Sequence, residues 1–382
     1  MKIVVAADSF KECLAATAVC EAIAAGLRDA DEAAEVLCVP MADGGEGSLD
    51  VLLAAGGGER HTVTVTGPMG QPLQATFGWQ LQRETAIIEA AAANGLGLVP
   101  PAERDPTVAT TRGVGELILA ALKLEPRKLL ITVGGSGTVD GGAGAARALG
   151  FGAIDRIHQD LAEGGAALQD LHRFSIPARR PWERVTIEVA CDVSNTLLGE
   201  RGAARFFGPQ KGATPEQVEQ LEAGLTRFAK VLREHHGIDI AALTGGGAAG
   251  GLAAGLAALC GARLRPGVDL VAEHVSLDAA LKGADLVITG EGSTDIQTPY
   301  GKVCAGVARH ARERDIPCVI LSGRVDIDPQ LLRRMGVLSA IAASPPDMPA
   351  AEAIAQAPEL LRSAAAILLM RFQAGGLGLP EA

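Results

Sequence analysis

The sequence predicts an α/β protein, in which a doubly wound parallel-sheet domain is interrupted by a second, mixed α/β domain. Three observations lead there. Short apolar runs of strand length alternate with helical patterns at both ends of the chain: Ile3–Ala6, Val36–Val39, Leu286–Thr289, Cys318–Leu321 and Leu338–Ile341. Between the two ends, His61–Thr66 and Leu73–Leu81 alternate apolar and polar residues around Gly67–Pro68–Met69–Gly70. Such a meander does not belong inside a purely parallel series. Finally, 382 residues suffice for two domains at about 150 each. The expected division is 1–60 with 283–382 for the discontinuous domain and 61–282 for the insertion.

The elements follow in order. Ile3–Ala6 reads as a buried strand and Asp8–Lys11 as a turn, before Leu14, Ala18, Val19, Ala22, Ile23 and Leu27 mark the apolar face of a helix. Val36–Val39 is a second strand, ended by Pro40, and Asp43–Gly47 a turn before a helix from Leu49 to Ala55. After the meander, Ala86–Ala90 adds a strand, and Leu129–Val133 leads into a glycine-rich loop and a helix from Ala143 to Leu149. Val185–Cys191 is a further strand. Thr214–Pro215–Glu216–Gln217 is a capping box with proline at the first helical position, and Gly237 ends that helix. Beyond 283, helices around Val307–Arg314, Pro329–Met335 and Ala350–Phe372 separate or follow the last strands, and the tail from Gly375 to Ala382 is expected to fray.

Composition excludes several classes. The formal net charge is −11, from 34 basic and 45 acidic residues, so nucleic acid and anionic membrane are poor partners. Eight Phe, two Trp and one Tyr offer little for stacking single-stranded bases. The uncharged stretch Ile240–Ala262 has small residues at Gly247, Gly251 and Gly255, but it is mainly Gly and Ala and reads as a buried loop and helix rather than a membrane span. The N-terminus shows no signal-peptide pattern. Seven cysteines without a CxxC pair suit reduced thiols in a cytoplasmic protein, and no HExxH motif supports a zinc site. The oligomeric state stays open, with a homodimer as the assembly considered.

Two loops share the form GxGxxD, Gly135–Asp140 and Gly290–Asp295, each after an apolar strand. An aspartate stands where a dinucleotide fingerprint has its last glycine, so phosphate bound there needs a cation to reverse the sign of the interaction. A glycine-rich turn with Asp capping a helix is the alternative. Asp8, Asp43, Glu46 and Asp192 also follow predicted strands, where open α/β sheets take ligands, although Asp is a common turn former too. Gly134–Gly135–Ser136 and Gly245–Gly246–Gly247 are candidate phosphate cradles or points of close backbone packing. No GxxxxGK[ST] exists, because Ile296 occupies the position that needs glycine upstream of Gly301–Lys302. Lys11, Arg205, Lys211 and Lys302 are the cations near these loops; lysine binds phosphate as a point charge, and arginine clamps a carboxylate.

Together these fragments carry a resemblance. Ala6–Ala7–Asp8–Ser9–Phe10–Lys11, Ala42–Asp43–Gly44–Gly45–Glu46–Gly47, Gly134–Gly135–Ser136 with Asp140–Gly141–Gly142, Ala190–Cys191–Asp192–Val193, Phe207–Gly208–Pro209–Gln210–Lys211–Gly212–Ala213 and Thr289–Gly290–Glu291–Gly292 with Asp295 and Gln297–Thr298 run in order along the chain. In these the chain resembles the bacterial type I glycerate kinases. The resemblance implies ATP-dependent phosphorylation of glycerate, usually to 2-phosphoglycerate, with Mg²⁺. It also implies a flavodoxin-like domain interrupted by a second α/β domain, in agreement with the split above. Ala7, Val139 and Ser293 depart from the family's usual Pro, Asn and Arg, and residues 151–184 are shorter and less similar.

The expected chemistry is phosphoryl transfer in a cleft between the domains. The phosphates of ATP lie on Gly134, Gly135 and Ser136, on Gly245, Gly246 and Gly247, and on Gly290, Glu291 and Gly292 with Lys302. Some of Asp43, Asp192 and Asp295 hold Mg²⁺, and Lys11, Lys211 or Lys302 offset charge on the transferred group. Asp8, Ser9 and Glu46 face the substrate, and Arg205 takes its carboxylate in place of an arginine at 293. Asp192 also serves as the base, a role not separable here from metal ligation. Two rival readings are a nucleotide-dependent oxidoreductase of small hydroxy acids, opposed by the missing GxGxxG after the first strand, and a non-catalytic sugar-acid sensor on the same fold.

Overall fold

A computed structural model describes residues 1–378, and the chain divides into two compact units. The first holds residues 1–43, 50–55 and 266 onward; the second holds 44–49 and 56–265. Of the tail expected to fray, 379–382 lie outside the described residues.

The first unit is built on a five-stranded sheet in the spatial order Ser339–Ala342, Cys318–Ser322, Leu286–Thr289, Lys2–Val5 and Glu35–Cys38, with every pairing parallel. Counted along the chain this is the 2-1-3-4-5 order of flavodoxin-like folds, with a switch point between Lys2–Val5 and Leu286–Thr289. The runs are apolar because both faces are covered. Ile3, Val5, Leu286, Ile288, Val319 and Leu321 pack on Val19, Ile23 and Leu27 of helix Ala16–Ala30 and on Leu361 and Leu368 of helix Ala357–Gln373. These two helices meet so closely that a methyl group on Gly26 would lie 1.9 Å from the Arg362 carbonyl oxygen. Helix Val303–Arg312 covers Leu286–Thr289 and Cys318–Ser322 through buried Val303, Val307 and Ala311.

Two differences from the sequence reading concern helices. Gly267–His274 and Leu277–Leu281 lie in this first unit, which therefore resumes at 266. The single helix expected over Ala350–Phe372 is two, Ala350–Ala355 and Ala357–Gln373. Pro358 explains the break: it lacks an N–H, its ring excludes a helical carbonyl four residues back, and it is tolerated only in a first turn.

The second unit holds a six-stranded mixed sheet in the order Arg263–Arg265, Thr186–Ala190, Lys128–Thr132, Thr85–Glu89, Pro72–Gln80 and Glu59–Thr66. The first four strands are parallel to one another and the last three form the antiparallel meander. Its core runs through Phe77, Ile88, Leu117, Ile131, Phe174 and Phe228. Helix Pro215–His236 begins at the expected capping box, in which Thr214 and Gln217 exchange side-chain and backbone bonds, and ends at Gly237 with φ 68°. The uncharged stretch folds as buried turns and helix Leu252–Cys260, where Gly255 admits the Gly141 carbonyl oxygen 2.3 Å from where a Cβ would stand. Among the described residues no helix is long and apolar enough to cross a membrane.

Candidate active site

The first unit carries a cavity of about 390 Å³ where the parallel strands end. Ala6 and Ala7, both fully buried, bring the chain off strand Lys2–Val5 to Asp8. The Asp8 N–H donates to the Gly290 carbonyl at 2.9 Å, which ties together the loops after the two switch-point strands. Asp8 Oδ1 accepts from the Ser9 N–H at 2.7 Å. The chain then closes on itself through Phe10 N–H to Leu14 O, 2.8 Å, leaving Lys11 exposed on the loop.

Strand Leu286–Thr289 delivers Gly290 and Glu291. A Cβ at Gly290 would stand 2.0 Å from the Leu321 carbonyl oxygen, so only glycine lets the strands approach there. Glu291 is 7% exposed; its Oε1 accepts from Thr298 Oγ1 at 2.5 Å, and its Oε2 lies 3.1 Å from Lys302 Nζ. The same ammonium is 3.9 Å from Asp295. After strand Cys318–Ser322 come Gly323 and Arg324, and the short strand Arg324–Val325 pairs with Ser293–Thr294 so that Arg324 stands beside Ser293.

The polar part of this cavity is crowded with negative charge. Asp8, Asp43, Glu291 and Asp295 line it against Lys11, Lys302 and Arg324. Burial, followed by repulsion from Asp43 and Glu291, pushes the Asp8 carboxyl up to about 7. Glu291 is also raised by burial, against the opposing bonds from Thr298 and Lys302. Burial works against the Lys302 charge, but Glu291 and Asp295 outweigh it and raise the ammonium. Among the described residues no three or more His, Cys, Asp or Glu form a ready-made metal cage. Mg²⁺ does not require one, since it uses one or two carboxylates with waters and substrate oxygens. A divalent cation would relieve the repulsion among Asp8, Asp43 and Glu291, and the cavity carboxylates Asp43 and Asp295 offer it oxygens.

The structure therefore brings Asp8, Ser9, Lys11, Asp43, Glu291, Gly292, Asp295 and Lys302 to one cavity, with Gly290 at its base. The remaining candidates belong to the second unit. There the Gly134 backbone packs on Gly45, 2.8 Å from where a Cβ would stand, and Glu46 is exposed on the neighbouring turn. Lys211 is 3% exposed, and its Nζ donates to Ser136 Oγ at 2.9 Å and the Thr138 carbonyl at 2.7 Å. Burial lowers this ammonium to about 7, and Asp140 partly offsets the effect. Asp140 itself is buried and accepts from Thr111 N–H and Oγ1 and from the N–H groups of Gly142 and Gly144. The two GxGxxD loops thus differ: Asp140 organises backbone, whereas Asp295 lines the cavity.

Gly246 and Gly247 donate their N–H groups to the carbonyls of Leu243 and Asn195, at 2.9 Å each, and Gly245 with φ +77° lies against Cys191. Asp192 follows strand Thr186–Ala190 and is half-buried. Arg205 is engaged by Glu200 at 2.5 Å and Glu219 at 2.8 Å. Arg324 is the cavity residue that the sequence reading missed. It directly follows Ser322–Gly323 at a strand end, the same position that singled out Asp8.

Comparisons with known proteins point to one family. The model of the glycerate kinase family matches residues 3–373. A glycerate kinase of Halalkalibacterium halodurans is 40% identical over 364 residues, covering 95% of this chain and 96% of the relative. The glycerate 2-kinase of Escherichia coli K12 is 41% identical over 338 residues, 88% of this chain and 89% of its own. A crystal structure from Salmonella typhimurium LT2, of a protein assigned as glycerate kinase 2, superposes with a TM-score of 0.88 at 42% identity, covering 98% of this chain and 99% of that one.

Proposed function

The chain belongs to the glycerate kinase family, and from that premise we propose that it transfers the terminal phosphoryl group of ATP to glycerate, giving 2-phosphoglycerate, with Mg²⁺. The observation that carries the proposal is the cavity at the switch point of the parallel sheet, where carboxylates and cations from four strand ends converge. The name of the Escherichia coli relative supports the 2-position.

Each residue has a physical task. When bound, Mg²⁺ neutralises and orients phosphate oxygens. Asp43 and Asp295, which line the cavity, would hold it. Lys11 and Lys302 meet the negative charge of the transferred group. Arg324 takes the glycerate carboxylate: its guanidinium has no ion-pair partner among the described residues and faces the cavity, whereas Arg205 already serves two glutamates. Asp8, whose carboxyl burial raises above the ordinary carboxylate range, accepts the proton of the attacking hydroxyl. Lys211 fixes the Ser136–Thr138 loop through two hydrogen bonds.

The test is an ADP-release assay with a panel of hydroxy acids, ATP and Mg²⁺, whose product is offered to enolase, an enzyme that uses 2-phosphoglycerate directly. ADP release with glycerate and consumption of the product by enolase are expected. NADH binding without ADP formation would support the oxidoreductase reading, and glycerate binding without turnover the sensor reading.

A further inference from the structure

Part of the cavity wall has no task in the chemistry above. Phe10 and Cys13 from the first loop and Ala353, Ile354, Ala357 and Leu360 from the two C-terminal helices form an apolar surface continuous with the charged residues. The break between Ala350–Ala355 and Ala357–Gln373 leaves both helices lining the same cavity, and the small alanine side chains leave its volume open. Cys13 Sγ donates to the Ile354 carbonyl at 3.6 Å, so the loop and the first of these helices are tied together.

We propose that this apolar wall holds the purine base of the nucleotide donor, with its phosphates leading to Lys11 and Lys302. The inference rests on the kinase reading above and adds where the base sits. Glycerate cannot use the surface: each of its carbons bears oxygen, and packing it on alanine and leucine would leave hydroxyls without partners. A cavity of about 390 Å³ is also of the size that takes a whole small ligand rather than a three-carbon acid. A purine has a flat apolar face for such a wall and is covalently joined to the phosphates that the cations of the polar part attract. The location agrees too, because open parallel sheets take ligands at the carboxyl ends flanking the switch point.

The base would cover Cys13, which is half-buried, and leave Cys38 free, which is exposed and outside the cavity. Iodoacetamide labelling of the whole protein, mapped by mass spectrometry, reads both thiols at once. ADP at roughly ten times its Kd is expected to slow labelling of Cys13 about tenfold, because only unliganded protein reacts, while saturating glycerate leaves it unchanged and Cys38 responds to neither. In calorimetry, Ala353→Trp, which fills the space, should weaken ADP about tenfold or more and leave glycerate affinity within about twofold. Ile354→Ala, at an exposed position, is the milder second variant and should weaken ADP severalfold. ADP binding that leaves Cys13 labelling untouched, or unchanged ADP affinity in both variants, overturns the placement while the kinase reading stands. No ADP binding to the unaltered protein overturns the donor assignment and the placement with it.

Discussion

Replacing Asp8 by Asn should make the protein more stable while removing its activity. Burial and the neighbouring Asp43 and Glu291 move the Asp8 carboxyl from 3.8 to about 7. At about 1.4 kcal/mol per pH unit, a shift of about three units means that ionising Asp8 costs the folded state about 4 kcal/mol. The sign follows from proton counts. Between the unfolded and folded values the native protein binds one more proton than the unfolded chain, so this group lowers stability as pH rises through that window, and the loss is complete above about 7. Asparagine cannot ionise, yet it keeps the oxygen that accepts from the Ser9 N–H. In urea unfolding without divalent cations, the variant should match the parent near pH 4 and exceed it by about 2–4 kcal/mol near pH 8, the lower figure allowing for water in the cavity. Turnover should fall at least about a hundredfold if Asp8 takes the hydroxyl proton. A variant that is no more stable than its parent at pH 8 would refute the account of crowded charge.

Three further outcomes follow from the same geometry. Arg324→Ala should raise KM for glycerate about ten- to a hundredfold, the worth of a charge-assisted clamp, and Arg205→Ala should change it by less than about twofold; the reverse pattern would return the clamp to Arg205. Between about pH 7 and 10.5 the unfolded chain keeps a proton on Lys211 that the folded protein sheds, so stability should rise with pH there by up to about 1.4 kcal/mol per unit. Lys211→Met should lack that slope in denaturation curves and, with Ser136 and Thr138 released, lose at least about tenfold in kcat. Gly290→Ala forces a methyl group onto the Leu321 carbonyl oxygen and should cost about 1–3 kcal/mol, visible as a lower Tm.

The parallel strands were legible because sheets covered on both faces demand unbroken apolar runs, and Leu286–Thr289 and Cys318–Ser322 have them. Asp8 and Asp43 were legible for a related reason: an acidic residue just past such a run stands where ligands bind. The break near Gln356 was hidden because the apolar spacing continues across it, and only the proline two residues on interrupts the backbone bonds. Lys211 sits in a turn beside Pro209 and Gly212 and was read as a cation for the transferred group; its burial depends on Ser136 and Thr138, more than seventy positions earlier. The setting of Gly245–Gly247 was equally out of local reach, since Cys191 and Asn195 provide it. Arg324 belongs to no motif, and only its pairing beside Ser293 reveals that a guanidinium faces the cavity from the neighbouring strand.

The route of the chain has a consequence for its birth on the ribosome. Strand Lys2–Val5 is among the first segments to emerge, yet its partner Leu286–Thr289 is translated about 280 residues later, and helix Ala16–Ala30 waits still longer for Ala357–Gln373. The second unit, whose strands all lie between residues 59 and 265, has its whole sheet available well before then. Nascent chains should accordingly acquire protease resistance from the middle outward, while the sticky leading segment needs shelter by a chaperone until the last hundred residues arrive.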